Sequence, residues 1–223
     1  MSGVTIEQIR RHLVGLKMPR ALEVLQSTLA GIEQGDVSVL QAIESLLGEE
    51  YSTRESRRIK MALQTARLTT IKTISGYDFS FQPSLDKNRI LVLAELGFVQ
   101  QRQCVHFLGP PGTGKSHLAV ALGVEAIKAG KSVYFSTLAE LVDSLRKAER
   151  EGRVRERVKF LSRYGLLIVD EIGYLPVGSG GGNLFFQLVN ACYERSAMIM
   201  TGNRGFGEWA DIFGDPVVAT ALL

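Results

Sequence analysis

Three short stretches of this chain carry residue types that could do chemistry together. The first is Gly109-Pro110-Pro111-Gly112-Thr113-Gly114-Lys115-Ser116, which satisfies the eight-residue phosphate-loop pattern. Glycines at this spacing let successive backbone N–H groups turn inward around phosphate oxygens, and a helix opening at the end of the loop adds its positive terminus. Lys115 is expected to neutralise the β and γ phosphates and the Ser116 hydroxyl to take a place on a magnesium ion. The nucleotide-binding set is therefore Gly109, Pro110, Pro111, Gly112, Thr113, Gly114, Lys115, Ser116 and His117, with ATP and Mg2+ as the cofactors.

The second stretch, Leu166-Leu167-Ile168-Val169-Asp170-Glu171, is four apolar residues ending in two carboxylates. A buried central strand delivers charge to the carboxyl edge of a parallel sheet in this way. Asp170 is expected to hold the metal shell through water, and Glu171 to polarise the attacking water, a task for a base beside the γ-phosphate. The third stretch is Thr201-Gly202-Asn203-Arg204, after the apolar run Met198 to Met200. Asn203 then lands at the same sheet edge, where a neutral amide can orient the lytic water without repelling phosphate. A Gly-Asn pair is also a common turn former, and the residues alone leave both readings open. The catalytic set is Lys115, Glu171 and Asn203; the metal set is Ser116 and Asp170.

Elements that would position these residues follow from the hydrophobic pattern. From Gln103 onward the order is strand, glycine loop, helix, strand, helix, strand. Strands are expected at Val105–Leu108, Val133–Phe135, Leu166–Val169 and Met198–Thr201. Helices are expected at His117–Ala129, from Leu138 to about Arg163 with a break near Gly152, and at Leu184–Arg195, with Gly178–Gly182 a flexible loop. Such alternation predicts an α/β fold with a parallel sheet flanked by helices. Before it, apolar residues recur at helical spacing from Thr5 to about Ile74 (Ile6, Ile9, Leu13, Leu16; Leu22, Leu25, Leu29, Ile32; Val39, Leu40, Ile43, Leu46, Leu47). Three or four helices are expected, the first capped at Thr5 and the breaks at Pro19 and Gly35-Asp36. The domains are read as 1–75, a small all-helical contact unit, and 76–223, a catalytic core. Tyr77 to Pro83 reads as a linker or edge strand that could close over the base, with a helix from Leu85 to Glu95 after it.

The order of phosphate loop, acidic strand end and polar strand end resembles the AAA+ ATPases. GPPGTGKSHLAVALG (109 to 123), LLIVDEIGYLP (166 to 176), TGNRGFGEWADIFGDPVVATALL (201 to 223) and YDFSFQPSLDKNRI (77 to 90) resemble the IstB-like transposition helper ATPases, relatives of the DnaC-type helicase loaders. The resemblance covers essentially the whole chain. It implies an AAA+ phosphate-loop core preceded by a helical domain, ATP hydrolysis, assembly of a homo-oligomer on duplex DNA, and activation or delivery of a transposase encoded nearby. A replicative helicase is the alternative partner. It also implies a short Asp-Arg-Leu segment after the final Ala-Leu-Leu, whose arginine reaches a neighbour's γ-phosphate. The chain stops at Leu223 and is read as truncated there, with Arg195 and Arg204 as fallback arginines.

Composition agrees with a soluble globular protein: 223 residues, 45% hydrophobic, 8% aromatic, 22% charged. Disordered, collagen-like and mucin-like classes are excluded. The net charge is only +3, so a case for an anionic partner depends on where charges sit. They are concentrated. Arg146 to Arg163 holds eight basic residues (Arg146, Lys147, Arg150, Arg153, Arg155, Arg157, Lys159, Arg163) against three acidic ones. Arg54 to Lys72 holds six (Arg54, Arg57, Arg58, Lys60, Arg67, Lys72) against Glu55 alone. Two such strips fit phosphate contacts that confer affinity without reading sequence, and a solvated helix face with internal ion pairs is the plainer alternative. The expected DNA contacts are Arg146, Lys147, Arg150, Arg153, Arg155, Arg54, Arg57, Arg58 and Lys60. Few aromatics interleave with them, which favours duplex over stacked single strands. Phe206, Trp209 and Phe213 read as core or subunit packing.

Cys104 and Cys192 form neither a disulfide framework nor a metal-ligand spacing, so a reducing, cytoplasmic setting is expected. Neither a signal peptide nor a membrane span is expected. Against the DNA-dependent ATPase stand a helicase loader and a nucleotide-gated adaptor with little turnover. A GTPase lacks its Asn-Lys-x-Asp segment, and a kinase lacks an acceptor site.

Overall fold

The computed structural model describes residues 3–214 and 219, apart from 69, 175, 176 and 179. The chain divides into two compact units, Met1–Met61 and Ala62–Leu223. In the first, α1 (Gly3–Gly15) and α2 (Pro19–Glu33) are followed by α3 (Val39–Thr65), whose last residues belong to the second unit. Thr5 lies inside α1 and does not cap it, and Pro19 opens α2 as its first residue, where its missing N–H costs nothing. Gly35, with φ of 81°, turns the chain between α2 and α3.

One buried carboxylate organises this unit. No side chain of the preceding residue caps α2, so its end amides turn to Glu50 on α3, which accepts from the N–H groups of Arg20 (2.9 Å) and Ala21 (3.4 Å). Arg54, one turn on, pairs with Glu50 (2.8 Å) and donates to the carbonyls of Leu16 (3.1 Å) and Lys17 (2.6 Å) just past α1. An anion at a helix start and a cation at a helix end both oppose the helix dipoles, so one ion pair clips the α1–α2 corner. Apolar burial here is thin. The expected core stripe on α3 is corrected by the structure: Leu40 is 81% exposed and Ile43 and Leu47 are half exposed, while Ala21, Leu25 and Ala42 are buried.

The second unit holds α4 (Lys87–Ala94), α5 (Gly97–Gln100), β1 (Cys104–Leu108), α6 (Lys115–Lys128), β2 (Val133–Thr137), α7 (Leu138–Arg150), α8 (Val154–Leu161), β3 (Leu166–Ile172), α9 (Gly181–Cys192), β4 (Ala197–Gly202) and α10 (Trp209–Phe213). The four strands are parallel in the order β1-β4-β3-β2. Leu166 to Val169 are wholly buried, as an unbroken apolar run in a central strand requires. Since β3 and β4 are adjacent in the middle of the sheet, their carboxyl ends bring Asp170 and Thr201 together. The expected break at Gly152 is real: its φ of 68° ends α7 after Arg150, and α8 restarts at Val154.

Two expectations change. Tyr77 to Pro83 forms no strand; Phe79–Phe81 is a single 3-10 turn, because Asp78 bends back to accept from the Ser80 N–H. The glycine run is not all loop, since Gly181 and Gly182 are buried in the first turn of α9. A Cβ on Gly182 would stand 2.5 Å from the Phe213 carbonyl oxygen, so the glycine is there to let α9 approach the end of α10. Phe185 then stacks on Phe213 (5.5 Å, 5° between planes), and Trp209 is fully buried beside it. Phe206, by contrast, is 41% exposed and packs edge-on to Trp209 and His106. Among the described residues no helix is long and apolar enough to cross a membrane. Leu175 and Pro176, and 215–218 with 220–223, fall outside the described residues.

Candidate functional site

The phosphate loop leaves β1 at Leu108 and enters α6 at Lys115. Gly112 and Gly114 have φ of 79° and 81°, the left-handed region that turns successive amides to one side, and Gly114 is the residue that caps α6. Tyr77 closes the back of the loop. Its hydroxyl donates to the Thr113 carbonyl (2.9 Å), its ring meets His117 and Phe79 edge-on, and a Cβ at Gly114 would stand 2.5 Å from its Cε2. His117 is held in turn by the Thr73 carbonyl oxygen (2.9 Å from Nε2).

On the open side, Gly112, Gly114, Lys115, Ser116, His117, Asp170 and Thr201 bound a cavity of about 270 Å3. The Ser116 hydroxyl donates to Asp170 Oδ1 at 2.8 Å, joining residues 54 positions apart. Thr201 Oγ1 donates to the same oxygen and accepts from the Glu171 N–H (3.2 Å). The Lys115 ammonium reaches the Pro110 carbonyl (2.6 Å) and Thr113 Oγ1 (3.3 Å). Partial burial lowers its pKa, and the nearby Asp170 charge opposes that shift.

Glu171 is aimed by a β-bulge. Val169 pairs with Met200 and Ile172 with Gly202, so Asp170 and Glu171 together oppose Thr201. Glu171 adopts φ of 64°, uncommon for a residue with a Cβ, and the cost of order 1–3 kcal/mol is of the kind carried at functional positions. The reversal lets two consecutive residues both serve the edge: Asp170 is 6% exposed, turned to Ser116, while Glu171 is exposed. Glu171 lines a neighbouring hollow with Arg67, Thr137, Glu140 and Asp170, and does not itself wall the 270 Å3 cavity. Asn203 follows β4 with its N–H on the Ile172 carbonyl (3.3 Å); its Oδ1 is buried without a hydrogen-bond partner.

The structure thus brings Lys115, Ser116, His117 and Asp170 onto one cavity and sets Glu171 and Asn203 beside it. Thr201 is the residue that sequence reasoning left unassigned. Its type at a strand end is a signal, but its bridging position depends on the bulge register.

The residues present fit a magnesium-bound nucleotide. Ser116 and Asp170 offer hard oxygen donors, which suit Mg2+, an ion that keeps most of its shell for water and phosphate. No group of three or more His, Cys, Asp or Glu that could hold a metal occurs among the described residues.

The expected DNA contacts separate into two kinds. Lys147, Arg150 and Arg155 on α7 and α8, and Arg57 and Lys60 on α3, are exposed. Arg54 is committed to the α1–α2 corner, Arg58 pairs with Glu55 (2.6 Å), Arg153 pairs with Glu151, and Arg146 folds inward to the Val177 carbonyl (2.6 Å). Of the fallback arginines, Arg204 pairs with Glu208 (2.6 Å) and Arg195 is exposed.

Comparison with known proteins is consistent across sequence and fold. The ATP-binding protein of insertion sequence IS21 from Pseudomonas aeruginosa is 41% identical over 208 residues, 93% of this chain and 78% of its own length. The IS5376 counterpart from Geobacillus stearothermophilus is 36% identical over 217 residues, 97% of this chain and 86% of its own. Among solved structures, AMPPCP-bound DnaA from Aquifex aeolicus superposes with a TM-score of 0.60 at 22% identity, over 70% of this chain and under half (48%) of that one. The DnaC helicase loader gives 0.52 at 22% identity over 73% of this chain and 94% of that one. At such identity these two speak for the fold alone. The family model described as IstB-like ATP binding protein matches residues 12–223, and the chain belongs to that family.

Proposed function

We propose that this protein binds and hydrolyses ATP with Mg2+, assembles as a homo-oligomer on duplex DNA and activates or delivers a transposase there. The observation that carries the nucleotide reading is the Ser116–Asp170 hydrogen bond, which sets a hydroxyl and a carboxylate side by side at the start of α6, next to Lys115. The relatives' names, which place them in insertion sequences, support a transposase as partner. The division of labour is a helical contact domain over 1–75 and an ATPase core over 76–223, in a cytoplasmic protein.

The N–H groups of Gly112 to Ser116 donate to phosphate oxygens, and Lys115 exchanges its contacts with Pro110 and Thr113 for the β and γ phosphates. Ser116 and Asp170 would hold Mg2+, which when bound would neutralise charge on the phosphates. Thr201 turns Asp170 to Ser116 by donating to it, and holds the Glu171 amide, so that the Glu171 carboxylate can take a proton from the attacking water. The Asn203 amide orients that water. Breaking the γ-phosphate bond loosens contacts between neighbouring subunits, so hydrolysis releases the assembly from DNA.

The test is Glu171→Gln, followed by ATP binding, phosphate release and residence on duplex. The variant should bind ATP as wild type does, release almost no phosphate, and stay longer on DNA. Faster departure from DNA than wild type would overturn the switch, and undiminished ATP affinity in Lys115→Ala would overturn the site.

A further inference from the structure

The two basic strips of the sequence meet at one tyrosine. Arg67 lies in the first strip and Arg157 in the second, ninety positions apart, and neither is among the contacts expected from the sequence. A left-handed turn at Arg67 (φ 61°) ends the helical segment, and the Ala66 carbonyl accepts from the Phe135 N–H (2.9 Å), which seats this segment along the outer edge of β2. Arg157 comes from α8. Arg67 Nη1 donates to Tyr134 Oη at 3.0 Å and Arg157 Nη2 donates to the same oxygen at 3.1 Å. The two guanidinium carbons stand 5.7 and 6.0 Å from the Tyr134 ring centre, and Arg157 is also 5.3 Å from that of Phe160.

Three features make this an unfinished site for an anion. A phenol oxygen has two acceptor positions, both taken, whereas each guanidinium has five N–H donors. Among the described residues, Arg157 finds one further acceptor, Ser144 Oγ (3.3 Å), and Arg67 has the phenol alone. Every one of these acceptors is neutral. Glu140 lines the hollow beside Arg67 and its charge acts on that guanidinium, but it accepts from Ser136 Oγ, and no carboxylate among the described residues stands in ion-pair contact with either arginine. Two like charges are thus held against one ring with their planes fixed, an arrangement that an oxyanion between them would stabilise.

We infer that Arg67 and Arg157, oriented by Tyr134, form a clamp for a backbone phosphate of duplex DNA; this rests on the DNA part of the proposed function. Duplex is favoured over single strands because the aromatic faces here are already used. Tyr134, Phe160 and Tyr164 pack edge-on or tilted against one another; Tyr134 is 5% exposed, and Phe160, though 43% exposed, already carries the Arg157 guanidinium over its ring. Arg155, Lys159 and Arg163 are exposed nearby along the chain and extend the charge.

The experiment measures duplex binding by anisotropy against salt concentration, with ATP affinity followed in the same samples. Each phosphate contact contributes about 0.9 to the slope of log K on log salt, hence about eightfold in affinity at 0.1 M. Because both arginines hold one phosphate, the combined Arg67→Gln and Arg157→Gln variant should lose about 0.9 in slope and about eightfold in affinity on any sequence, each single variant no more than that, with ATP affinity unchanged. Arg157→Lys keeps the charge and should keep the slope. A double Gln variant with wild-type slope overturns the clamp and leaves the proposed function standing. A wild type that binds ATP but no duplex overturns the DNA reading and the clamp together. Should the double variant unfold, phenylglyoxal modification of the wild-type protein decides: duplex should protect Arg67 and Arg157, and equal labelling with and without duplex overturns the clamp.

Discussion

A single methyl group at Gly114 tests whether the phosphate loop is held from behind by Tyr77. The backbone there has φ of 81°, which for alanine costs about 1–2 kcal/mol. The added Cβ would also lie 2.5 Å from Tyr77 Cε2 and 3.2 Å from both Cζ and the hydroxyl oxygen, well inside van der Waals contact. The ring has little freedom to withdraw, because its hydroxyl is tied to the Thr113 carbonyl and its edges meet Phe79 and His117. Overpacking of this kind costs about 1–3 kcal/mol. The loop, as the less buried partner, should yield first, so most of the penalty should appear in ATP affinity; a loss of about 2 kcal/mol is roughly thirtyfold. The two terms separate in a double-mutant cycle. In a Tyr77→Ala background the clash is gone and only the backbone term remains, so Gly114→Ala should cost about 1–3 kcal/mol less there. Titration with a fluorescent ATP analogue, alongside urea unfolding, measures all four proteins. Equal penalties in both backgrounds, within about 0.5 kcal/mol, would show that Tyr77 does not press on the loop.

Three further outcomes are expected. Thr201→Val keeps the shape but removes a donor to Asp170 and an acceptor for the Glu171 amide; it should cost about 1–3 kcal/mol in urea unfolding and lower phosphate release more than ATP affinity. Wild-type turnover in that variant would contradict the role given to the bulge. Gly182→Ala should cost about 1–3 kcal/mol of stability, read as a lower urea midpoint at unchanged slope, since its Cβ meets backbone at Phe213, and an unshifted midpoint would mean that α9 is not seated there. Acid should loosen the helical unit through Glu50. Burial raises its pKa, but Arg54 and the amides of Arg20 and Ala21 outweigh that and hold it below the ordinary 4.5. Its contribution is therefore complete above pH 4.5 and is lost as pH falls through the depressed value, so Glu50→Gln should flatten that limb of a circular dichroism titration. Parallel limbs in the two proteins would rule Glu50 out as its source.

The chain's own order of residues determined much of this protein. A glycine-rich loop between an apolar strand and a helix, four buried aliphatics ending in Asp170-Glu171, and a polar end to the following apolar run specify a parallel sheet with its chemistry at one edge. Those signals are local: strand burial, loop chirality and helix start depend on neighbours in sequence. The breaks at Gly152 and Pro19 are legible for the same reason.

What needed tertiary structure depends on which residues distant parts of the chain present to each other. The stripe of Leu40, Ile43 and Leu47 has the period of a buried face yet is exposed, because periodicity states which residues share a face and not what covers it. Gly181 and Gly182 look like loop residues until Phe213 arrives against them. Thr201 becomes a bridge between Asp170 and Glu171 only through a two-against-one register across β3 and β4. Charge follows the same rule: the sequence counts arginines, but folding decides that Arg54 spends its donors on the carbonyls after α1, that Arg146 turns inward to Val177, and that Arg67 and Arg157 meet at Tyr134, in ion-pair contact with no carboxylate among the described residues.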